Sequence, residues 1–267
     1  MDWIAPELRE DRGEIKAAIG RQLPDLVSPD DVRGDLQMHS TYSDGENTIS
    51  ELAAAAQRLG HKYIAITDHS VGLGVAHGLS KQRVKKQVCE IDKYNNSHRE
   101  LKILKSIEVN INADGSLDFD TEIVKMLDFV TASVHSSFNQ SRDIMTKRII
   151  KAIESGTIDN LGHPTGRLLE RREGIDADWQ KIFPYCVKYN VALEINANPN
   201  RLDLPDKLII EAKKVGVKFT ISTDAHSSED LEHIAFGVSQ ARRGWLTKSD
   251  VLNSLPVEKL LAWVRRQ

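Results

Sequence analysis

The chain has 267 residues, 40% of them hydrophobic and 28% charged, with a formal net charge of −3. That balance fits a water-soluble globular protein of single-barrel size, and the negative sum excludes a protein that coats nucleic acid without specificity, while leaving room for local basic patches. No apolar run approaches a membrane span, and the start Met1-Asp2-Trp3-Ile4-Ala5-Pro6-Glu7 is acidic rather than signal-like, so the expectation is a cytoplasmic protein with no membrane partner.

Residues 1–33 read as an N-terminal helical extension or linker: Glu7 to Arg21 is mostly charged, and Pro24, Pro29 and Asp30-Asp31 break the pattern. Residues 34–267 read as one domain in which strands and helices alternate. Short β-rich segments lie near 34–38, 62–67, 102–109, 128–134, 158–162, 190–196 and 217–223. The clearest helix between them runs from Thr48 to Leu59. Thr48 and Glu51 make a capping box, Leu52, Ala55, Ala56 and Leu59 supply an apolar face, and Gly60 stops the helix. Cys89 and Cys186 match no zinc-ribbon or redox spacing and read as ordinary thiols. Such alternation implies a parallel α/β sheet, closed or nearly closed into a barrel; periodicity alone is also met by an open doubly wound sheet.

Each β-rich segment runs into a polar group. The first ends in Gln37-Met38-His39, followed by Ser43-Asp44-Gly45. The next five run into Asp68-His69, Glu108, His135, His163-Pro164 and Glu194-Ile195-Asn196, and the last into Asp224-Ala225-His226. In α/β barrels the carboxyl ends of the strands form the active face. A buried His or Asp there needs a partner, and a metal cluster supplies one for all of them together. Residues two apart on an extended segment point the same way, so Asp224 and His226 both reach the barrel mouth. Imidazole and carboxylate without thiolate suit Zn²⁺, Mn²⁺ or Fe, and ions about 3.5–4 Å apart can clamp both oxygens of a phosphoryl displacement.

The stretch Gly34-Asp35-Leu36-Gln37-Met38-His39-Ser40, with Ser43-Asp44-Gly45, Ile66-Thr67-Asp68-His69, Glu108, Ser133-Val134-His135, Gly162-His163-Pro164 and Ser222-Thr223-Asp224-Ala225-His226, resembles the PHP (polymerase and histidinol phosphatase) family from residue 34 to about 240. Pro6 to Glu14, Arg33-Gly34-Asp35-Leu36 and Gly78-Leu79-Ser80 are most similar to the C-terminal PHP module of bacterial family X DNA polymerases, here without the polymerase part. The resemblance implies a distorted (β/α)7 barrel with a trinuclear metal centre at the strand ends, and the expected cofactors are two to three divalent ions. It implies Gln37, His39, Glu108 and Asp224 around the first ion, Asp44, His69 and His226 around the second, and Glu108 (bridging), His135 and His163 around the third. The family usually has His-x-His where this chain has Gln37-Met38-His39, so the first ion is expected to bind weakly, to favour a harder cation, or to use water in place of Gln37.

Phosphate esters need positive charge beside the metals. Arg167, after His163-Pro164-Thr165-Gly166, and Arg201, after Asn196-Ala197-Asn198-Pro199-Asn200, are the candidates, and His77 in the 72–78 loop is a candidate proton donor. Asp68, Glu194 and Asn196 are candidates for orienting ligands. His61, His98 and His233 sit in polar contexts and read as surface residues. The basic runs Lys81 to Lys86, Arg142 to Lys151 and Arg167 to Arg172 are candidates for a DNA-facing rim, and the first two read ahead of that as solvated helix faces. The expected activity is hydrolysis at phosphorus by activated water, with nucleic-acid 3′ ends, abasic sites or 3′-phosphates as the substrates the resemblance suggests. A small-molecule phosphatase and a non-catalytic metal-stabilised module that serves a protein partner are the rival readings.

Overall fold

The computed structural model describes residues 1–264. Seven strands, β1 (Gly34–Met38), β2 (Tyr63–Ile66), β3 (Lys102–Asn110), β4 (Phe129–Ser133), β5 (Asn160–Leu161), β6 (Ala192–Asn196) and β7 (Phe219–Ser222), pair in parallel in sequence order. Helices α2 (Ile49–Arg58), α3 (Lys81–Ser97), α4 (Thr121–Val124), α5 (Arg142–Glu154), α6 (Trp179–Lys188) and α7 (Asp206–Val215) connect them. A short α1 (Glu14–Ile19) precedes the sheet, and α8 (Ile234–Arg243) and α9 (Val257–Trp263) follow it.

The sheet closes, so the open doubly wound alternative falls. At the carboxyl end His39 N donates to Ala225 O at 2.8 Å and Asp224 N donates to Gln37 O at 3.0 Å. Lower down, Asn253 stands between the first and last strands. Its Nδ2 donates to Gly34 O and Ile221 O, each at 2.7 Å, and its Oδ1 accepts from Ile221 N at 3.0 Å. A side chain thus replaces the missing ladder, which satisfies backbone groups that would otherwise be buried unpaired.

Strand alternation sorts the residues between two environments. Ile64, Ile66, Ile107, Val109, Val130, Leu193 and Ile221 pack outward under the helices. Leu36, Ala65, Leu104, Phe129 and Ala192 form a separate apolar floor with Leu252 and Leu260. Above it Thr220 Oγ1 donates to Asn160 Oδ1 at 3.1 Å, and Asn160 Nδ2 to Thr131 Oγ1 at 3.4 Å. Further along the same strands come Glu108, Ser133, Glu194 and Ser222, all buried. The lumen therefore grows more polar toward the carboxyl face.

Thr48 caps α2 as the sequence predicts: its N donates to Glu51 Oε2 at 2.8 Å and its Oγ1 accepts from Glu51 N at 3.3 Å, a pattern that contributes about 1 kcal/mol. Leu59 differs from expectation, because it lies past the last helical turn and is 45% exposed. His61 is also not a surface residue. It begins the run into β2 and is buried, with neither ring nitrogen bonded. His98 is exposed and His233 half-buried. In the 142–151 run Arg142, Lys147 and Lys151 are exposed, but Arg148 is 2% exposed and donates to Ser136 O at 3.0 Å, Gln140 Oε1 at 3.2 Å and Ile111 O.

The N-terminal extension packs on the outside of the barrel. Leu8, Ala18 and Val27 are buried, Val27 N donates to Leu246 O at 3.0 Å, and Arg242 pairs with Glu7 at 2.6 Å. Only residues 14–19 are α-helical there, because Gly13 turns the chain in the left-handed region. Among the described residues no helix is long and apolar enough to cross a membrane.

Candidate metal centre

The nine predicted ligand positions converge at the carboxyl mouth of the barrel, around Glu108. His163 Nε2 lies 3.1 Å and His135 Nε2 3.5 Å from Glu108 Oε1, while His69 Nδ1 lies 3.1 Å and His39 Nε2 3.6 Å from Glu108 Oε2. On the outer side, His69 Nε2 and His226 Nε2 are each 3.5 Å from Asp44 Oδ2, and His39 Nε2 is 3.1 Å from Asp224 Oδ1. The donor atoms of His39, Asp44, His69 and His226 all lie within 4.8 Å of one another, as do those of His69, Glu108 and His135. Donors about 2.1 Å from a shared ion stand roughly 3.4 Å apart, so these separations suit divalent cations.

Several buried atoms here make no hydrogen bond: Gln37 Oε1, His39 Nδ1, His69 Nδ1, Glu108 Oε2 and His163 Nδ1. Each such atom costs on the order of 1–3 kcal/mol, and a bound cation is the partner this donor chemistry fits. Gln37 instead turns its amide nitrogen to Glu108 Oε1 at 3.2 Å and Asp224 Oδ1 at 3.5 Å, donating to both carboxylates.

Charge in the site is strongly coupled. Burial pushes the Asp44 carboxyl up, but the hydrogen bond from His226 and the charges of His39, His69 and His226 outweigh it and bring its pKa to about 2. Burial likewise opposes ionisation of Glu108, yet His69 and His135 hold it well below the usual range. Burial also opposes Asp224, which His39 and Arg201 hold down. His69 falls to about 4, first through burial and then, against the pull of Glu108, through repulsion from His39 and His135. Glu194 is pushed well up by burial and by Asp224. The carboxylates of the candidate ligands Asp44, Glu108 and Asp224 are thus held toward the ionised form, which suits a cation.

The backbone departs from expectation at two ligands. Asp224 is in the left-handed region (φ 56) rather than extended, and His163 has φ 27. Both are strained for residues with a side chain. The Asp224 kink still sends carboxylate and imidazole to one side, since His226 Nδ1–H donates to Asp224 O at 2.9 Å and leaves Nε2 facing Asp44. Gly45 lets the Asp44 loop fold back on His39, because a Cβ there would sit 2.1 Å from His39 O.

Around the ligands lies a set of buried carboxylates that fix the loops. Asp68 accepts from Ser40 N at 2.8 Å, Ser43 Oγ at 2.5 Å and Gln87 Nε2 at 2.5 Å, so it holds the loop of His39 and Asp44. Asn196 Nδ2 donates to Glu194 Oε2 and Asp224 Oδ2, each at 3.1 Å, while Glu194 Oε2 accepts from His163 N at 2.6 Å. Asp35, Asp203, Asn110 and Asp118 escape the sequence reading. Asp35 accepts from Thr223 Oγ1 at 2.5 Å, and Asp203 from Thr165 Oγ1 at 2.9 Å. Asn110 had a signal, since it follows Glu108 by two on the same strand and so shares its face. Asp118 had none.

The three substrate-side candidates separate. Arg201 is in the site: its Nε lies 3.5 Å from Asp224 Oδ2, and its buried Nη1 is unpartnered. Arg167 is spent on backbone, with Nε donating to Arg201 O at 2.9 Å and Nη2 to Leu202 O. His77 is exposed at the end of a 3-10 turn, and its carbonyl accepts from Arg83 Nη1 at 2.6 Å.

A family model, the PHP domain, matches residues 35–198. The chain belongs to the PHP domain family. Over 266 residues this PHP domain is 41% identical to the DNA polymerase/3′-5′ exonuclease PolX of Bacillus subtilis (strain 168), covering 100% of the chain and 46% of that protein. The chain thus spans about half the length of that relative. It is 32% identical over 227 residues to a probable phosphatase of Thermoanaerobacter sp. (strain X514), covering 80% of the chain and 87% of the relative. In fold, the PHP domain is similar to a histidinol phosphate phosphatase from Lactococcus lactis crystallised with zinc, L-histidinol and phosphate. The TM-score is 0.56 at 19% identity, over 79% of this chain and 94% of that one.

Proposed function

We propose that this PHP domain is a metal-dependent phosphoesterase that hydrolyses phosphate esters at the mouth of its barrel. The observation that carries the reading is the convergence of five histidines with Asp44, Glu108 and Asp224 while several of their buried polar atoms make no hydrogen bond. His39, Asp44, His69 and His226 would hold one ion, and His69, Glu108, His135 and His163 a second. Gln37 fills its corner as a donor to Glu108 and Asp224, so the donor geometry favours two ions over the three the resemblance implies.

Zn²⁺, Mn²⁺ or Fe ions bound there would supply Lewis-acid polarisation of the phosphoryl group and lower the pKa of attacking water. The chain's own residues do the rest. Arg201 offers an unpartnered Nη1 to a phosphoryl oxygen, a charge-assisted bond of about 1.5–3 kcal/mol that grows with the negative charge of the transition state. Arg167 acts at one remove, by fixing the Arg201–Leu202 backbone. Asp68, Glu194 and Asn196 hold the ligand loops so that little reorganisation accompanies reaction. His77, exposed on its loop, is the proton donor we propose for the leaving oxygen.

The substrates we propose are nucleic-acid 3′ ends, a reading supported by the similarity of this whole chain to 46% of the 3′-5′ exonuclease PolX. Purified protein reconstituted with Mn²⁺ or Zn²⁺ should hydrolyse a 3′-phosphorylated or abasic oligonucleotide faster than p-nitrophenyl phosphate or its bis ester. Preference for the small monoester would replace this with a small-molecule phosphatase. Bound metal with activity on none of the substrates would leave a structural module.

A further inference from the structure

We propose that Arg172, stacked on Phe138 beside the ligand cluster, grips the phosphate next to the scissile one and so selects phosphodiester-linked substrates over isolated phosphomonoesters. This rests on the phosphoesterase reading above and gives one residue of the basic run Arg167 to Arg172 a role of its own, outside the candidate ligand set.

Arg172 and Phe138 come from the loops that follow β5 and β4, both on the carboxyl face. Gly166 N donates to His163 O at 2.8 Å, so the first loop turns immediately beyond a ligand. Gly166 is in the left-handed region (φ 62), and a Cβ there would lie 2.8 Å from Phe138 Cε1. The two loops therefore touch only because this residue is glycine. Arg172 Nε donates to Gly166 O at 2.9 Å, and its backbone pairs with Leu168 in both directions, at 2.8 and 2.9 Å. Its Cζ then lies 3.9 Å over the Phe138 ring. Buried Arg148 holds the Phe138 loop from below through Ser136 O and Gln140 Oε1. Both partners are preorganised.

What remains free is the outer edge of the guanidinium. Nε is bonded, the face is covered by Phe138, and among the described residues no carboxylate pairs with Arg172 and no acceptor meets its two terminal amino groups. Arg172 lines two clefts, one of about 380 Å³ shared with the rest of residues 167–174 and one of about 550 Å³ shared with Ser137, Phe138, Asn139 and Gln140. Burial holds the Arg172 pKa down, and the charge of Arg201 adds to this against the opposing pull of Asp203. Two arginines that repel each other, each with unspent donors, fit a ligand that carries a second negative charge. A planar fork locked by stacking recognises phosphate oxygens bidentately with little entropy left to lose.

The test is a cycle between the protein and a dinucleotide 3′-phosphate whose internal linkage is either a normal phosphodiester or an uncharged methylphosphonate. The unaltered, metal-loaded protein should favour the charged linkage about tenfold or more in kcat/KM, the size of one charge-assisted bond. Arg172→Ala should erase that preference, and Phe138→Leu should reduce it. Arg172→Gln, which keeps a donor for Gly166 O without the charge, should erase it as well and covers the case in which the alanine variant does not fold. No preference in the unaltered protein, or a preference that survives both Arg172 variants, overturns the proposal. If the protein cleaves neither compound the phosphoesterase reading falls. The same cycle is then read as dissociation constants of fluorescein-labelled dinucleotides, with the same outcomes for and against.

Discussion

His135 Nδ1 stands 2.5 Å from Asn110 Oδ1, and the other end of that amide is fixed by Asp118, whose Oδ2 accepts from Asn110 Nδ2 at 2.6 Å. A carboxylate accepts only, so the amide must face it with nitrogen and face the ring with oxygen. His135 must then carry a proton on Nδ1, so in the neutral ring the Nε2 lone pair faces Glu108. Three residues settle one tautomer.

Breaking that chain should weaken metal binding without removing a ligand. Asn110→Ala is expected to lower the affinity of the Glu108 side for Zn²⁺ about 10–100-fold, read by competition with a chromophoric chelator. Affinity equal to that of the unaltered protein would show that the ring needs no such support. Asp118→Ala should cost more stability as well, because Asp118 also accepts from Ser70 Oγ at 2.7 Å and Gly72 N at 2.9 Å.

Gln37 holds the corner where the family usually has histidine. Its amide nitrogen offsets the charge of Glu108 and Asp224 but offers no lone pair. Gln37→His should raise the metal content by one ion per chain, measured by elemental analysis after gel filtration. Unchanged stoichiometry and affinity would mean that the corner is not a metal position at all.

Arg201 and Arg167 should prove to be one unit. Arg201→Ala should lower kcat about 10²–10³-fold, the range for loss of a donor to transition-state charge. Arg167→Ala should lower it less, because the Arg201 backbone loses its anchor while the guanidinium remains. The double variant should be no slower than Arg201→Ala alone, and multiplied losses would give Arg167 its own contact with substrate.

His61 predicts a pH dependence far from the metal centre. Burial lowers its pKa to about 4, from 6.5. Below 6.5 the unfolded chain takes up a proton that the folded one refuses, so stability is full above pH 6.5 and falls as the pH drops toward 4. The loss at the low end is about 3 kcal/mol at most. His61→Leu should remove this part of the slope and stabilise the protein at pH 5, seen as a higher urea midpoint relative to its value at pH 7.5. Parallel pH profiles for the two proteins would place the proton uptake elsewhere.

The sequence by itself determined the order of elements and the candidate ligand positions. Strand alternation and the helix signals at Thr48 and Gly60 are local, and a polar group placed at the end of each apolar strand is visible without coordinates. The tertiary structure decided what depends on neighbours distant in the chain. Closure rests on Asn253, 219 residues from the Gly34 carbonyl it caps. The split between Arg201, which faces the ligands, and Arg167, which braces it, depends on how two loops meet. His61 looked exposed because its neighbours Gly60 and Lys62 are polar in context, yet it is covered by the fold. The metal positions follow the same division: residue types announced the chemistry, whereas the facing of Gln37, the tautomer of His135 and the left-handed turn at Asp224 are set by packing between strands that only the closed barrel brings together.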